Sequence, residues 1–336
     1  MSAPDDALEP ARVLAQGVEA LPSVDAPLGG PEPLIDVHAH FYHPRSPRGD
    51  WPAVNLARMR AGERIGITYH VASVLGTWGQ TSPTYFPSPD DVTFGNDVML
   101  AICRALPHRV RAYATVNPNF PRHALDEIAR CVAQGAVGVK LAASRRADDP
   151  LLDDVASLAG ERGLPILHHT WQWRRRDWPM QEASDGLELG RLAARHARTR
   201  FILAHVGGGG DYRHTYHAVS ELPNVFLDLS GSGVDRGMLE GALEAVGARR
   251  LLWACDVTID TGLAKLRALE AMGLAHDDLT AIRWRNAVSI FPASAFEGVS
   301  SSSRRKPGSS LSPGAREDPG FRRDDFHAER APARDA

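Results

Sequence analysis

Short apolar segments recur along the middle of the chain, and each is followed by a stretch with helical periodicity. This alternation predicts buried strands connected by amphipathic helices. Several helical stretches end in Gly or carry Pro just before the next apolar segment, as expected at helix-to-strand turns. The predicted strands are 34–40, 67–75, 110–116, 136–142, 164–170, 199–206, 224–230 and 250–256, and clear helical segments are 124–134, 151–163 and 237–247.

Eight β-α units within about 260 residues match the usual size of a (β/α)₈ TIM barrel, which is the predicted fold. A doubly wound open sheet is the alternative. It is disfavoured because no glycine-rich phosphate loop follows the first strand. The glycine run at 207–210 follows the sixth strand and lacks the G-x-G-x-x-G spacing of a dinucleotide site.

The two ends of the chain differ from the middle in composition. Residues 1–33 are rich in Pro, Ala and acidic groups, so we expect a mostly irregular N-terminal extension with at most a short helix around 6–21. Residues 300–336 hold too few apolar side chains to offset the entropy of ordering, which predicts a disordered tail. The barrel domain is therefore expected over 34–299.

Composition excludes several classes of protein. The chain has 43% hydrophobic and 24% charged residues and a formal net charge of -3, which is typical of a soluble globular protein. This charge gives no reason to expect nucleic acid or a membrane surface as a partner. The three cysteines form no C-x-x-C pair, which argues against a disulfide framework and favours a cytoplasmic location.

Polar residues stand where several predicted strands end. In a TIM barrel the active site lies at the carboxyl ends of the strands, so these residues are the candidates for chemistry. They are His38 and His40 at the end of strand one, Lys140 in strand four, His168 and His169 in strand five, His205 in strand six, and Asp256 at the end of strand eight.

The segment "LIDVHAH" carries the strongest single signal. Alternation along a strand predicts that Asp36, His38 and His40 share one face, while Val37 and Ala39 share the other. The small apolar residues suit the helix-facing layer, so both histidines are expected inside the barrel. Two imidazoles on neighbouring pleats can bind one transition-metal ion, although H-x-H alone is equally compatible with a strand end bearing surface histidines.

The other candidates each have a structural alternative. His168 and His169 cannot both face inward on a regular strand, and His169 is preferred as a ligand because it is nearer the strand's end. His205 alone could be a packed residue with a backbone partner. A buried Asp256 requires a cation or a hydrogen-bond partner, or it caps the next helix. Lys140 could pair with a carboxylate, contact a substrate or, if carbamylated, bridge two metals.

With these residues in this order, the chain resembles the amidohydrolase superfamily, in its amidohydrolase-related (amidohydrolase 2) branch. That branch contains aminocarboxymuconate semialdehyde decarboxylase, resorcylate-type decarboxylases and lactone hydrolases. The resemblance covers residues 34–293. Its motifs are "IDVHAH", "GVKLA", "LPILHHTW", "FILAHVGG", "LLWACD" and "RWRNAVSIF".

The resemblance implies a TIM barrel of the metal-dependent hydrolase type with one divalent ion, Zn²⁺ before Mn²⁺ or Fe²⁺. It implies His38, His40, His169 and Asp256 as ligands, with Asp256 also moving protons and His205 beside the metal. Relatives in this branch are mostly mononuclear, so Lys140 is expected to contact substrate. The chain reads "ACDVT" where the family often shows "G-[ST]-D-x-P", so the substrate cannot be transferred from relatives.

Two reactions fit these residues. The preferred hypothesis is a metal-dependent hydrolase, in which metal-activated water attacks an amide or lactone. The alternative is a non-oxidative decarboxylase of an aromatic or unsaturated carboxylic acid, with Trp171 as a stacking surface and Arg174 as an anion contact, unless 170–178 is a solvated loop. A non-catalytic barrel is a third possibility. The partner is a small molecule, and the oligomeric state stays open, with a homodimer as one option.

Overall fold

The computed structural model describes residues 4–46, 48–75, 88–141, 145–170, 184–206, 211–231, 233, 237–257 and 259–299. Within them, eight parallel strands pair in chain order, each with the next. This confirms the predicted barrel. The strands are β1 Ile35–Phe41, β2 Tyr69–Val74, β3 Val110–Val116, β4 Gly138–Leu141, β5 Ile166–His168, β6 Phe201–Leu203, β7 Val225–Asp228 and β8 Leu251–Leu252.

Helices alternate with these strands. Their starts carry local signals: Ser88 accepts from the backbone N–H of Asp91, and Asp185 with Glu188 forms a capping box. Of the helices in the described residues, none is long and apolar enough to span a bilayer. The helices are α1 Asp5–Glu19, α2 Trp51–Ile65, α3 Pro89–Ala105, α4 Pro121–Ala133, α5 Asp153–Glu161, α6 Gly186–Arg195, α7 Tyr212–Val219, α8 Met238–Val246, α9 Ile259–Ala271, α10 His276–Thr280 and α11 Asn286–Ile290.

Alternate strand residues fill the barrel interior. One cluster joins side chains from six strands, which only the interior of a closed sheet can bring together. Aromatic residues of the C-terminal segment pack against this cluster, and the carbonyl of Glu297 accepts from the Tyr69 hydroxyl near the start of β2. The amino end of the barrel is thus covered. The interior side chains include Ile35, Val37, Tyr69, Val71, Tyr113, Leu167, Ile202 and Leu252.

The first side chains of β1 point to the opposite sides of the sheet from those predicted. Val37 packs in the interior cluster, whereas Asp36 faces the helices and contacts Arg58 of α2. The cause is a β-bulge, because the pairing with β2 shifts by one residue between Asp36 and Ala39. Strict alternation therefore fails in this part of β1. The prediction that Asp36 shares a face with the histidines was wrong.

The N-terminal extension holds helix α1, close to the segment 6–21 where the sequence allowed a helix. In α1, Ala7, Ala11 and Leu14 are buried at helical spacing and belong to the same apolar cluster as residues of α3. Burial of this face stabilises a helix whose sequence contains Pro10. The tail at 300–336 lies outside the described residues, so its predicted disorder stays a prediction.

Candidate metal centre

Three donor atoms converge at the carboxyl end of the barrel. His38 Nε2 lies 3.0 Å from His40 Nε2, and Asp256 Oδ1 lies 3.3 Å from His40 Nε2 and 3.9 Å from His38 Nε2. Metal–ligand bonds of about 2.1 Å at tetrahedral angles separate two donors by roughly 3.4 Å. The spacing and the imidazole and carboxylate chemistry therefore suit a single divalent ion.

Buried acceptors orient both imidazoles. His38 Nδ1 donates to Asp228 Oδ2 at 2.8 Å, so His38 Nε2 presents its lone pair to the other donors. His40 Nδ1 lies 3.1 Å from the Ser73 hydroxyl and 3.3 Å from its carbonyl oxygen. Donation to Ser73 leaves Nε2 of His40 as the acceptor atom. These contacts allow both histidines to adopt the tautomer that a metal ligand requires.

Asp228 is a site residue that the sequence analysis missed. It ends β7 and is fully buried, and its Oδ1 accepts from the backbone N–H groups of His205 and Ser230. The Ser230 hydroxyl in turn lies 3.3 Å from His38 Nδ1 and 3.2 Å from His205 Nδ1. The criterion that selected Asp256, a polar residue at a strand's carboxyl end, also applies to "NVFLDLS". The signal was therefore present in the sequence.

His205 links the three donors to His169. Its Nδ1 lies 3.5 Å from Asp256 Oδ2, and its Nε2 lies 3.0 Å from His169 Nδ1. The group of converging donors in the described residues does not include His169. His169 faces the same interior, one contact away, and its function as a fourth ligand stays a prediction.

His205 and Asp256 share a backbone feature. They are the non-glycine residues with positive φ in the described part of the chain, at 66° and 58°. A left-handed conformation is unfavourable for residues with a Cβ, and it persists where the surrounding structure holds it in place. In both residues it turns the chain out of the strand while the side chain stays directed at the site.

Burial and charge set the protonation of the site. Burial is the largest influence lowering the pKa of His38, His40 and His205, so their imidazoles are neutral at pH 7. Burial acts to raise the pKa of Asp256, but the neighbouring histidines, His205 foremost, hold it well below its usual value. Neutral imidazoles beside an ionised carboxylate are the forms that bind a divalent cation.

Lys140 adds a cationic side chain to the same space. Its Nζ is fully buried and lies 2.9 Å from His38 Nε2. Burial lowers its pKa to about 8, and the carboxylates of Asp256 and Asp228 oppose that effect. The lysine is therefore mostly protonated at pH 7. No carboxylate lies in hydrogen-bond contact with it in the described residues, so simple ion pairing does not explain it.

The remaining candidates lie elsewhere. His168 pairs with Leu141 and Leu203 of the helix-facing layer, and its Nδ1 bonds the carbonyl of His169. Cys255 likewise packs in the helix-facing cluster. Trp171 and Arg174 lie outside the described residues.

Solved structures share this fold at low sequence identity. A 2,6-dihydroxybenzoate decarboxylase from Rhizobium has a TM-score of 0.61 at 20% identity, over 77% of this chain and 98% of that one. A dihydroxybenzoic acid decarboxylase from Polaromonas sp. JS666, solved with manganese and 2-nitroresorcinol, scores 0.58 at 18% identity, over 77% and 96%. A 5-carboxyvanillate decarboxylase from Sphingomonas paucimobilis scores 0.54 at 18% identity, over 77% and 98%.

A comparison with curated protein sequences found no match. The family model described as amidohydrolase (Amidohydro_2) matches residues 35–293, which span the entire barrel. The chain therefore belongs to this amidohydrolase family of enzymes.

Proposed function

We propose that the protein is a metal-dependent decarboxylase that removes CO₂ from an aromatic carboxylic acid. The observation that carries this proposal is the buried ammonium group of Lys140, 2.9 Å from His38 Nε2. A divalent ion among His38, His40 and Asp256 would place two cationic groups side by side. The carboxylates of Asp256 and Asp228 leave an excess of positive charge, which favours an anionic substrate.

The structural neighbours support the same choice over hydrolysis. Four of them are named as decarboxylases of hydroxylated or methoxylated benzoates, the fourth being a 5-carboxyvanillate decarboxylase from Novosphingobium aromaticivorans, and one carries 2,6-dihydroxybenzoate in its solved complex. Two were solved with manganese. Their identity to this chain is 20% or less, so they guide the choice of substrates and of Mn²⁺ as a test ion beside Zn²⁺ and Fe²⁺.

In the proposed reaction the chain's own residues bind the acid and move one proton. A divalent ion held by His38, His40 and Asp256 would supply Lewis acidity toward the substrate's oxygens. Lys140 binds the carboxylate and holds the ring against the three donors. Asp256 carries a proton to the ring carbon that bears the carboxylate. The electron pair of the C–C bond then returns to the ring and CO₂ leaves, with a net uptake of one proton.

His205 is suited to restore that proton. Its Nδ1 lies 3.5 Å from Asp256 Oδ2, and its Nε2 contacts His169 Nδ1. The imidazole can therefore exchange a proton with the carboxylate between turnovers. We assign His205 this function and keep His169 as a proposed further ligand.

Hydrolysis is the second candidate, and one observation favours it. Asp256 is ionised at pH 7, so its carboxylate can accept a proton from a water molecule and return it to the leaving group. The three converging protein donors also leave a coordination position for water. His205 would then stabilise the oxyanion on an amide or lactone.

Product analysis separates the two reactions. Full-length protein loaded with Mn²⁺, Zn²⁺ or Fe²⁺ is incubated with hydroxylated benzoates, lactones and amides, and both CO₂ and hydrolysed product are quantified. We expect CO₂ from a benzoate and no hydrolysis. His38→Ala and Asp256→Asn should abolish it, whereas His276→Ala, which alters an exposed histidine, should not. Hydrolysed product without CO₂ would contradict the proposal in favour of the second candidate.

A further inference from the structure

The barrel closes at a seam between β1 and the end of β8, and the candidate ligands stand on both sides of it. His38 and His40 belong to β1, and Asp256 follows β8. In the described residues the backbone bonds across the seam are few: Val37 N–H to the Trp253 carbonyl at 3.3 Å, and Asp256 N–H to the His38 carbonyl at 2.7 Å. The relative position of the ligands thus depends on what else holds the seam together.

The Asp36 carboxylate supplies further hydrogen bonds across the seam. The bulge between Asp36 and Ala39 interrupts regular pairing of β1 with β2. Asp36 Oδ1 accepts from the backbone N–H of His38 at 3.2 Å and from that of Cys255 at 3.0 Å. One carboxylate oxygen therefore joins the residue that carries the first histidine to the residue that precedes Asp256.

Arg58 of α2 completes this connection. Its Nη2 donates to Asp36 Oδ2 at 2.6 Å, and its Nη1 donates to the backbone carbonyl of Asp256 at 2.5 Å. The two side chains are almost fully buried. Helix α2 lies close enough to the sheet for this contact because Gly62 has no side chain, since a Cβ there would meet His70 Nε2 at 2.6 Å.

We infer that Arg58 is a positioning residue for the metal centre, which acts together with Asp36 by holding the backbone of Asp256 in its left-handed conformation. With φ at 58°, the Asp256 carbonyl turns to Arg58 while the carboxylate faces His40 and His205. A planar guanidinium can donate to two acceptors in fixed directions at once, which an ammonium cannot. The inference rests on the metal site of the proposed function, and it adds residues on the helix side of the barrel to that site.

Metal binding tests this inference without requiring turnover. We expect full-length Arg58→Lys to keep its fold but to bind Co²⁺ about 10- to 100-fold more weakly by calorimetry. Its Co²⁺ visible absorption, which reports ligand geometry, should also change. The matched control is Arg283→Lys. Arg283 is equally buried, donates to the Glu32 carbonyl and lies near Glu32 and Glu270, away from the strands' carboxyl ends.

A merely structural arginine would give a different pattern. If Arg58→Lys and Arg283→Lys lower the thermal midpoint alike and both keep the wild-type Co²⁺ affinity and spectrum, the inference is overturned. Should Arg58→Lys fail to fold, the double variant Arg58→Met with Asp36→Asn removes both buried charges together. That variant is expected to lose Co²⁺ affinity to the same degree, and unchanged affinity in it would equally overturn the inference.

Failure of the proposed function is distinguishable from failure of this inference. Wild-type protein that binds no Co²⁺ would overturn the metal site and the inference with it. In another outcome, the wild-type protein binds Co²⁺ and Arg58→Lys binds it more weakly, but the wild-type protein releases no CO₂ from any benzoate. That outcome would support the inference and contradict only the proposed reaction.

Discussion

His38 Nδ1 lies 2.8 Å from Asp228 Oδ2, on the side of the imidazole that faces away from the other donors of the site. The carboxylate fixes the tautomer of His38 and increases its basicity as a ligand. We therefore predict that Asp228→Asn weakens binding of Mn²⁺ or Zn²⁺ by about 10- to 100-fold. A neutral amide fixes the tautomer of His38 less firmly and increases its basicity less than a carboxylate does. Isothermal titration calorimetry measures the affinity.

A matched control exists outside the site. His196 Nε2 lies 2.7 Å from Asp153 Oδ1 on the outer surface, so Asp153→Asn breaks a similar histidine–carboxylate pair. It should leave metal affinity unchanged. Equal affinities in Asp228→Asn and Asp153→Asn would show that Asp228 does not tune the centre.

Lys140→Met should weaken the binding of an aryl carboxylate. Methionine keeps the length of the side chain but removes the charge that we assign to the carboxylate. Loss of a buried charge-assisted hydrogen bond costs about 1.5–3 kcal/mol, or roughly a 10- to 100-fold higher Kd. The corresponding phenol without its carboxylate is the control ligand, whose affinity should not change. An equal loss for both ligands would indicate a general disturbance of the site.

Metal binding should stabilise the fold through the same donors. At a metal concentration of about 100 times Kd, the expected gain is roughly 2.7 kcal/mol, which corresponds to a rise in Tm of about 4 °C for a chain of this length. Scanning calorimetry after chelation and reloading measures it. His40→Ala should abolish the rise, whereas His276→Ala should retain it. A rise that survives His40→Ala would place the ion elsewhere.

His43 should make stability depend on pH. It is buried, its Nε2 donates to the Leu75 carbonyl, and burial lowers its pKa to about 4. A histidine whose pKa is lowered in the folded state takes up a proton more readily when unfolded. Its stabilising contribution is therefore complete above the unfolded pKa of about 6.5 and is lost as pH falls toward 4.

The loss from His43 amounts to about 3 kcal/mol of unfolding free energy by pH 4. Urea unfolding of metal-free wild-type and His43→Gln protein at several pH values measures this contribution of His43 to the free energy of unfolding. The free-energy gap between the two proteins should be widest above pH 6.5 and shrink by about that amount at pH 4. A constant gap would contradict the assignment, and His276→Gln serves as the exposed control.

Local sequence signals were sufficient to predict most of the fold. Each predicted strand overlaps an observed one, because parallel strands covered on both faces are nearly continuous apolar runs. The criterion of polar residues at strand ends selected His38, His40, His205 and Asp256, which lie close together in the structure. Applied evenly, it would also have found Asp228.

Other features depended on partners distant in sequence. Alternation predicted the wrong face for Asp36 because a bulge in β1 interrupts it, and the contacts of Asp36 come from Arg58 and Cys255. The sequence placed helix α1 close to its observed position, but the packing beside α3 that stabilises it does not follow from its own composition. Neither partner is visible in a local window of residues.

The sequence by itself determined the barrel and the residue types of the site, since hydrophobic periodicity and the carboxyl ends of strands are local properties. Only the tertiary structure decided which donors converge, how Asp228 orients His38, and that Lys140 stands beside them. It also decided the left-handed conformation of Asp256. The backbone carbonyl of Asp256 accepts a hydrogen bond from Arg58, which lies 198 positions earlier in the chain. Such relationships arise when the sheet closes and brings β1 against β8, and no pattern within either strand specifies them.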